Sequence, residues 1–320
     1  MQSSRPNKAF KTSQPNGYSP LLHTIATITA CAVVPLILIG AGVTSKGAGM
    51  AFPDWPTSNG SLLNPSGWMQ DDHKLWEHGH RLTGWLVGML AIALAWLSWR
   101  KRGWIRAVGL ATLLAIIVQG VLGGLRVIEI STELAMLHGI WGQLCFCLAC
   151  IAALITSRAW SHSMQQVVSA PTAPFFQKLS LVATVCLLVQ LVTGAIYRHF
   201  GVNWAVAAHL IWAAVVILLL SFTALWALEQ YGSVQMLARL GRALVALIAT
   251  QMFLGGAAFL VVVMGGSWPA WVEWAVPSLH VVAGALLLAC MVALTLCSFR
   301  VLRSAVQTAS TANSAMATPA

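Results

Sequence analysis

Eight apolar segments, each long enough to cross a lipid bilayer as a helix, follow one another along the chain. They cover residues 22–44, 79–99, 105–127, 134–156, 177–198, 204–228, 239–264 and 276–299. About 20 apolar residues span the hydrocarbon core, and a backbone in lipid must satisfy its own hydrogen bonds. Only 8% of the residues are charged, against roughly 25% in a soluble domain. The sequence therefore predicts an all-α integral membrane protein with eight transmembrane helices.

The basic residues divide unevenly between the two predicted sides of the membrane. If the N-terminus lies in the cytoplasm, 13 of the 18 Lys and Arg residues fall on the inner side. The remaining five are Lys46, Lys74, Arg81, Arg126 and Arg198. An excess of Lys and Arg marks cytoplasmic loops. The distribution of the net charge of +10 therefore predicts a protein of the cell (inner) membrane with both termini in the cytoplasm. No nucleic-acid partner is expected.

The chain divides into two similar halves of four predicted helices each. Polar tails at 1–20 and 301–320 flank an N-terminal half, 21–160, and a C-terminal half, 177–300, which the linker 161–176 joins. In three apolar segments a Gln is followed four residues later by a Gly. In two of them a second Gly comes directly after the first. These repeats begin at Gln119, Gln190 and Gln251. The pattern predicts two pseudo-symmetric four-helix bundles related by an axis along the membrane normal.

The first connection on the outer side is much longer in the N-terminal half. Gly40 and His80 are 40 positions apart, whereas their counterparts Gly194 and His209 are 15 apart. The extra residues form an aromatic and acidic loop, 45–76. Loops of this length in a compact protein are more often functional than mere connections.

Four histidines occupy equivalent places near the outer ends of four predicted helices. They are His80, His138, His209 and His280, and each is followed four residues later by a small residue: Gly84, Gly142, Ala213 and Gly284. An ionisable residue inside a membrane usually has a function, and paired histidines on facing helices can hold haem iron. The small residues would leave room for a porphyrin. Zinc or copper, or four histidines that only bond neighbouring carbonyls, are the alternatives.

An acid and a base beside the first histidine set the N-terminal half apart. Glu77 lies three residues before His80, and Arg81 lies four after Glu77, so all three share a helix face. A carboxylate beside a haem can move protons or stabilise positive charge, which makes Glu77 the candidate catalytic residue. The alternative is that Glu77 only pairs with Arg81. Together with Arg126 and Arg198, Arg81 is expected to bind haem propionates, although each Arg could also serve as an interface anchor.

The seven cysteines lie within or at the ends of predicted helices. An outer disulfide is therefore not expected. Cys145, Cys147 and Cys150 are close in sequence, but helical spacing spreads them around the helix, which favours packing over metal binding.

These features together resemble the haem A synthase family over nearly the whole of 22–300. The resemblance is carried by the segment Pro53 to Pro56, by Asn59 and Gly60, by the Glu77-His-Gly-His-Arg81 motif, and by the repeated Gln-x-x-x-Gly segments before histidine-bearing helices. Many bacterial members carry a cysteine pair in the first outer loop. Ala51 and Ser58 stand where these cysteines would be expected, so a mechanism that uses a loop disulfide is excluded.

The resemblance implies an oxidoreductase that converts the C8 methyl of haem O to a formyl group by successive hydroxylations, giving haem A. It implies that His80 and His138 face the substrate haem iron, that His209 and His280 ligate a haem b that relays electrons, and that Glu77 is catalytic. A haem O synthase and the assembly pathway of a terminal oxidase are implied partners besides membrane lipid, and a homo-oligomer stays open.

Two other functions are compatible with parts of this pattern. A non-catalytic di-haem membrane cytochrome could pass electrons from quinol to a partner, but the asymmetry of Glu77 and the long loop favours the enzyme. A transporter would also explain the repeat. It would require broken helices and charged midplane residues, and the sequence indicates neither.

Overall fold

The structure, a computed structural model, describes residues 18–163 and 167–303. Most of both predicted cytoplasmic tails therefore lies outside the described residues. In that part of the chain the eight predicted membrane helices are all present. They are α1 (Pro20–Ser45), α2 (Asp72–Trp99), α3 (Trp104–Ile128), α4 (Thr132–Thr156), α6 (Ala173–Phe200), α7 (Asn203–Tyr231), α8 (Gln235–Ala258) and α9 (Ala270–Val301). The prediction of an all-α integral membrane protein is confirmed.

Each half forms a closed ring of four helices. In the first half, α1 packs on α2 and α4, and α3 packs on α2 and α4. The second half repeats this order with α6, α7, α8 and α9. The two rings meet through α1, α4, α6 and α9, so α9 is the most buried of the eight helices and α8 the least.

Short elements outside the membrane helices join the halves on the side opposite the histidines. A six-residue helix, α5 (Arg158–Ser163), follows α4. After it, β1 (Val168–Ser169) pairs in parallel with β2 (Leu302–Arg303). The sequence did not predict this small pairing, because two-residue strands carry no period that could be recognised.

The helix ends differ most from the predictions where polar residues begin a helix. The helix α2 begins at Asp72, seven residues before the predicted apolar segment, because the side chain of Asp71 accepts a hydrogen bond from the backbone N–H of Lys74. The side chain of Ser131 caps α4 in the same way. Hydropathy reports the part of a helix that lies in lipid, whereas caps decide where the helix starts. As a result, α2 presents Glu77 from its second turn.

Helix α8 continues into a single π-helical turn, Phe259–Val263. The sequence predicted one uninterrupted helix over 239–264. A π-turn widens the helix by one residue, and such turns are frequent at functional sites. Residues of this turn line the central cavity described below.

Candidate functional site

The four predicted histidines form two facing pairs, one in each half. His80 of α2 faces His138 of α4, with ring centroids 6.2 Å apart and ring planes at 80°. His209 of α7 faces His280 of α9, with centroids 6.4 Å apart and planes at 83°. All four line one continuous cavity of about 1480 Å³ that extends through both halves. The repeat therefore places the same pair of imidazoles, in nearly the same geometry, twice.

The spacing of each pair fits a single metal ion between two imidazoles. Metal–imidazole nitrogen bonds are about 2.0–2.1 Å long, so two imidazoles bound end-on to one iron have ring centroids about 6 Å apart. Each pair stands beside cavity walls lined by glycines and aliphatic side chains, which suits a flat apolar macrocycle. Among the described residues no three His, Cys, Asp or Glu side chains are grouped to hold a bare metal ion. Two facing imidazoles beside an apolar cavity wall fit haem iron with two axial histidines.

Each histidine ring rests on a glycine of the preceding long helix. A Cβ built on any of these glycines would lie only 2.7–3.1 Å from Cε1 of the ring. The four contacts are Gly40 with His80, Gly123 with His138, Gly194 with His209 and Gly255 with His280. A larger residue at any of these positions would push the ring out of place. The repeat places these glycines at equivalent positions, but their spacing alone does not indicate that they support the rings.

The glutamine of the repeat contacts the same histidine as the glycine. Gln and Gly four residues apart share one helix face, so the glutamine lies one turn away from the glycine that supports the ring. Nε2 of Gln119 lies 3.3 Å from Nε2 of His138 and donates to the backbone oxygen of His138 at 3.0 Å. Nε2 of Gln190 lies 3.1 Å from both ring nitrogens of His209 and donates to its backbone oxygen at 3.0 Å.

The third glutamine makes a weaker contact of the same kind. Nε2 of Gln251 lies 3.4 Å from Nε2 of His280, and Nδ1 of His280 has no hydrogen-bond partner among the described residues. The small residues four positions after the histidines provide space for these amides. A Cβ on Gly142 would lie 3.0 Å from Nε2 of Gln119, and one on Gly284 would lie 3.3 Å from Nε2 of Gln251.

The small residues that follow the histidines therefore do not all have the same surroundings. Gly142 and Gly284 accommodate glutamine side chains, whereas Gly84 has no heavy atom within 4 Å of a built Cβ and opens on the cavity. Ala213 also lines the cavity. The expected space for a porphyrin stays a prediction at these positions.

Glu77 is buried beneath the outer loop, which we define as residues 46–71, and both its carboxylate oxygens accept hydrogen bonds. Its side chain is 6% exposed. Oε2 accepts from the backbone N–H groups of Ala51 (2.6 Å) and Phe52 (3.1 Å), and Oε1 accepts from Nη2 of Arg81 (2.6 Å). Glu77 also lines the cavity that contains His80. The carboxylate therefore joins the outer loop to the wall of the first histidine site.

Arg81 continues this attachment of the outer loop. Its Nη1 donates to the backbone oxygens of Asp54 (2.7 Å) and Thr57. With Glu77, these contacts occupy much of the guanidinium. The expectation that Arg81 binds a propionate stays untested, and the structure shows it holding the loop.

His78 provides a further attachment that the sequence did not reveal. His78 is buried, with 1% of its surface exposed. Its Nδ1 lies 3.0 Å from Oγ of Ser58, and its Nε2 lies 3.0 Å from the backbone oxygen of Leu63. Ser58 is one of the two positions where a cysteine would be expected. In this chain a buried hydrogen bond ties that position to α2.

Asp54 organises the tip of the outer loop. Its carboxylate accepts hydrogen bonds from the backbone N–H groups of Asn59 (2.7 Å) and Gly60 (2.9 Å) and from the hydroxyl of Thr57. Asn59 and Gly60 have φ angles of 49° and 76°, a left-handed turn that Asn and Gly adopt readily. Slight burial acts to raise the pKa of Asp54, but the hydrogen bonds from Gly60, Thr57 and Asn59 outweigh it and lower the pKa to about 2.

Arg126 and Arg198 lie at the outer end of the cavity. Nη2 of Arg126 donates to the backbone oxygen of Gly49 at 2.6 Å. Nη2 of Arg198 donates to the backbone oxygen of Ala41 at 2.7 Å and to Oγ of Ser45 at 2.9 Å. Neither Arg forms a salt bridge within the described ranges 18–163 and 167–303. Both can therefore offer further N–H groups to an anion in the cavity.

The seven cysteines are free. Cys145 and Cys147 are buried, and the Sγ of Cys145 donates to the backbone oxygen of Ala115.

Comparison with known families agrees with this architecture. The family described as cytochrome oxidase assembly protein (COX15-CtaA) matches residues 23–206, which is more than half of the chain. The chain belongs to this family. The match includes α1 to α4, the outer loop, both histidines of the first pair, and α6 up to the start of α7.

Curated relatives named heme A synthase are similar to the same part of the chain. The sequence is 27% identical to the protein of Symbiobacterium thermophilum over 191 residues, 29% identical to that of Shouchella clausii over 192, and 28% identical to that of Bacillus licheniformis over 183. These alignments cover 56–58% of this chain and 59–61% of the relatives. The chain thus aligns with about three fifths of the length of the curated relatives it matches.

Proposed function

We propose that this chain is a haem A synthase, which oxidises the C8 methyl of haem O to a formyl group by two successive hydroxylations and loss of water. Two facing histidine pairs, each spaced for one iron, are the observation that carries the proposal. Family membership supports it, as do the names of the relatives.

The proposed roles of the two halves follow their surroundings. His209 and His280 would hold a resident haem b, which supplies reversible one-electron chemistry when bound. His80 and His138 would hold haem O as the substrate. The first pair is assigned to substrate because Glu77 and Arg81 lie on the same helix as His80 and attach the outer loop to it.

Glu77 is the proposed catalytic residue. A carboxylate that accepts three hydrogen bonds is held in one orientation. It would therefore present a fixed carboxylate in the cavity wall beside the substrate, where it can stabilise positive charge or accept a proton. Its hydrogen bonds to Ala51 and Phe52 also join this carboxylate to the outer loop.

The guanidinium groups would orient the bound haems. Arg126 and Arg198 are the proposed propionate partners, because each keeps unpaired N–H groups at the outer end of the cavity and Arg binds carboxylates with two parallel hydrogen bonds. Propionates would then point outward in both halves.

We place both termini in the cytoplasm of a cell (inner) membrane protein, since the basic connections lie at the opposite helix ends, as at Arg100, Lys101 and Arg102. The substrate would come from a haem O synthase.

The direct test is haem extraction and mass analysis from cells that make this protein together with a supply of haem O. We expect haem A or its hydroxylated precursor above the level of cells with an empty vector. The matched control is Glu133→Gln, which removes an exposed acid from the first turn of α4 and should leave the product level unchanged. Bound haem b with unconsumed haem O, in the presence of a competent electron donor, would instead support the di-haem electron carrier.

A further inference from the structure

One of the four histidines lacks the glutamine that the other three contact. The position four residues before the supporting glycine is Gln119 in α3, Gln190 in α6 and Gln251 in α8, but it is Leu36 in α1. The glycine itself is present in all four cases. His80 is therefore held by the same backbone surface as the others, without the same polar contact.

The matched position in the other half shows what is missing. In the repeat, α1 corresponds to α6 and α2 to α7, so Leu36 beside His80 corresponds to Gln190 beside His209. The amide of Gln190 contacts both ring nitrogens of His209 and its backbone oxygen, and the hydroxyl of Thr193 lies 3.3 Å from Nδ1. Leu36 can offer only its backbone to the ring of His80, and in the described part of the chain Nδ1 of His80 is buried without a hydrogen-bond partner.

The opposite ligand of the same pair is well held. Nδ1 of His138 lies 3.1 Å from the backbone oxygen of Gln119, to which it can donate, and the Gln119 amide binds the backbone oxygen of His138. The indole of Trp141, one turn further along α4, donates to the backbone oxygen of Ala115 at 2.9 Å. Within the first pair and among the described residues, Nδ1 of His138 has a hydrogen-bond partner and Nδ1 of His80 has none.

Hydrogen bonds to a ligating imidazole fix its orientation and tautomer, and their loss typically weakens metal binding about 10- to 100-fold. An imidazole without them can turn away from the iron at lower cost. A substrate site must release its haem in each cycle, whereas an electron-relay site must keep its haem. Leucine in place of glutamine is thus suited to the first site and unsuited to the second.

We propose that Leu36 is a positioning residue that makes His80 the exchangeable ligand, so that haem enters and leaves the first site through the His80 bond while His138 stays fixed. This inference rests on the proposed function, because it assumes that both pairs hold haem. It adds that Leu36 decides which of the two sites exchanges its haem. In the described hydrogen bonds Leu36 contacts neither the outer loop nor Glu77.

The experiment exchanges the matched residues. The chain is purified without oxygen from cells supplied with haem O, so that bound substrate is not consumed. Transfer of haem O and of haem b to excess apomyoglobin is then followed separately by extraction and mass analysis. The variants are Leu36→Gln, the control Leu36→Met, which keeps an apolar side chain of similar size, and the reciprocal Gln190→Leu.

We expect Leu36→Gln to slow the release of haem O about tenfold and to leave the release of haem b unchanged, with Leu36→Met behaving as the original chain. Gln190→Leu should speed the release of haem b by a similar factor. In turnover, Leu36→Gln should lower both KM and kcat, because substrate binds more tightly and product leaves more slowly.

Equal rates for Leu36→Gln and Leu36→Met would overturn the inference while leaving the proposed function intact. If Leu36→Gln does not accumulate in the membrane, Gln190→Leu decides, and unchanged haem b release in that variant would overturn the inference. A wild-type chain that carries no haem at either pair would overturn the proposed function and this inference together.

Discussion

The two halves of the molecule place their histidines alike and surround them differently. The facing rings are 6.2 Å apart in one half and 6.4 Å in the other, at interplanar angles that differ by 3° (80° against 83°). Around the first pair lie the outer loop, Glu77, Arg81 and Leu36. Around the second pair lie a short outer connection and Gln190. The comparison teaches that the repeat supplies the ligand geometry, whereas local additions to one copy supply what a reaction needs.

The outer loop of the first half is hydrogen-bonded to the helix that carries His80. Glu77, His78 and Arg81 lie close together near the start of one helix, and each binds the outer loop through a different group. Because α2 also carries His80, the outer loop and one histidine of the first pair are attached to the same helix. In the second half, no described hydrogen bond joins the α6–α7 connection to His209.

Removing one histidine from each half gives the largest expected difference. His209→Ala should lower the amount of tightly bound haem b more than tenfold, because an axial ligand and its hydrogen bonds are lost together. His80→Ala should leave haem b in place and abolish haem A formation. Visible spectra and extracted haem from the purified variants measure both effects. His162→Ala, which changes an exposed histidine of α5, serves as the control. Loss of haem b in His80→Ala would contradict the division of roles.

Glu77→Gln should reduce haem A formation about 100-fold or more, a loss typical of a group that moves protons or stabilises charge in the transition state. Haem b content should be unchanged. Amide hydrogen exchange at Ala51 and Phe52 should be measured in the same variant, because these groups donate to Glu77. Lost activity with preserved protection indicates catalysis by the carboxylate. Lost activity with lost protection would instead make Glu77 a residue that positions the loop.

The arginines allow a finer comparison between binding haem and holding the loop. Arg126→Gln and Arg198→Gln should each weaken haem retention about tenfold or more, since a charge-assisted hydrogen bond contributes about 1.5–3 kcal/mol. Arg81→Gln should affect retention less and increase amide exchange in residues 52–58, because Arg81 binds carbonyl oxygens there. Haem transfer to apomyoglobin and hydrogen exchange measure these effects. Equal loss of haem in all three variants would restore Arg81 as a propionate partner.

The smallest expected effect concerns pH and the loop tip. The pKa of Asp54 is lowered from 3.8 to about 2 in the folded loop. The folded loop therefore gains stability from the ionised carboxylate above about pH 4, and loses it as the pH falls toward 2. Amide exchange at Asn59 and Gly60, corrected for intrinsic rates, should rise over this interval, and the rise should be absent in Asp54→Asn. Exchange that is flat from pH 4 to pH 2 in the original chain would contradict the assigned cause.

Much of this architecture could be predicted from the chain alone. Hydropathy located all eight helices, since the membrane allows few other structures for apolar segments of that length. The repeat placed four histidines at equivalent depth, and the resemblance to the haem A synthase family implied which two face each iron. His80 lies opposite His138, and His209 lies opposite His280.

The contacts between residues far apart in sequence were determined only by the tertiary structure. Hydropathy and spacing did not reveal that His78 is buried against Ser58, that Arg81 holds the loop, or that Gln190 contacts His209 whereas Leu36 leaves His80 without such a contact. Periodicity along one helix determines which face a residue occupies. Which partner that face meets depends on how neighbouring helices and the outer loop pack, and no spacing within a single helix encodes that.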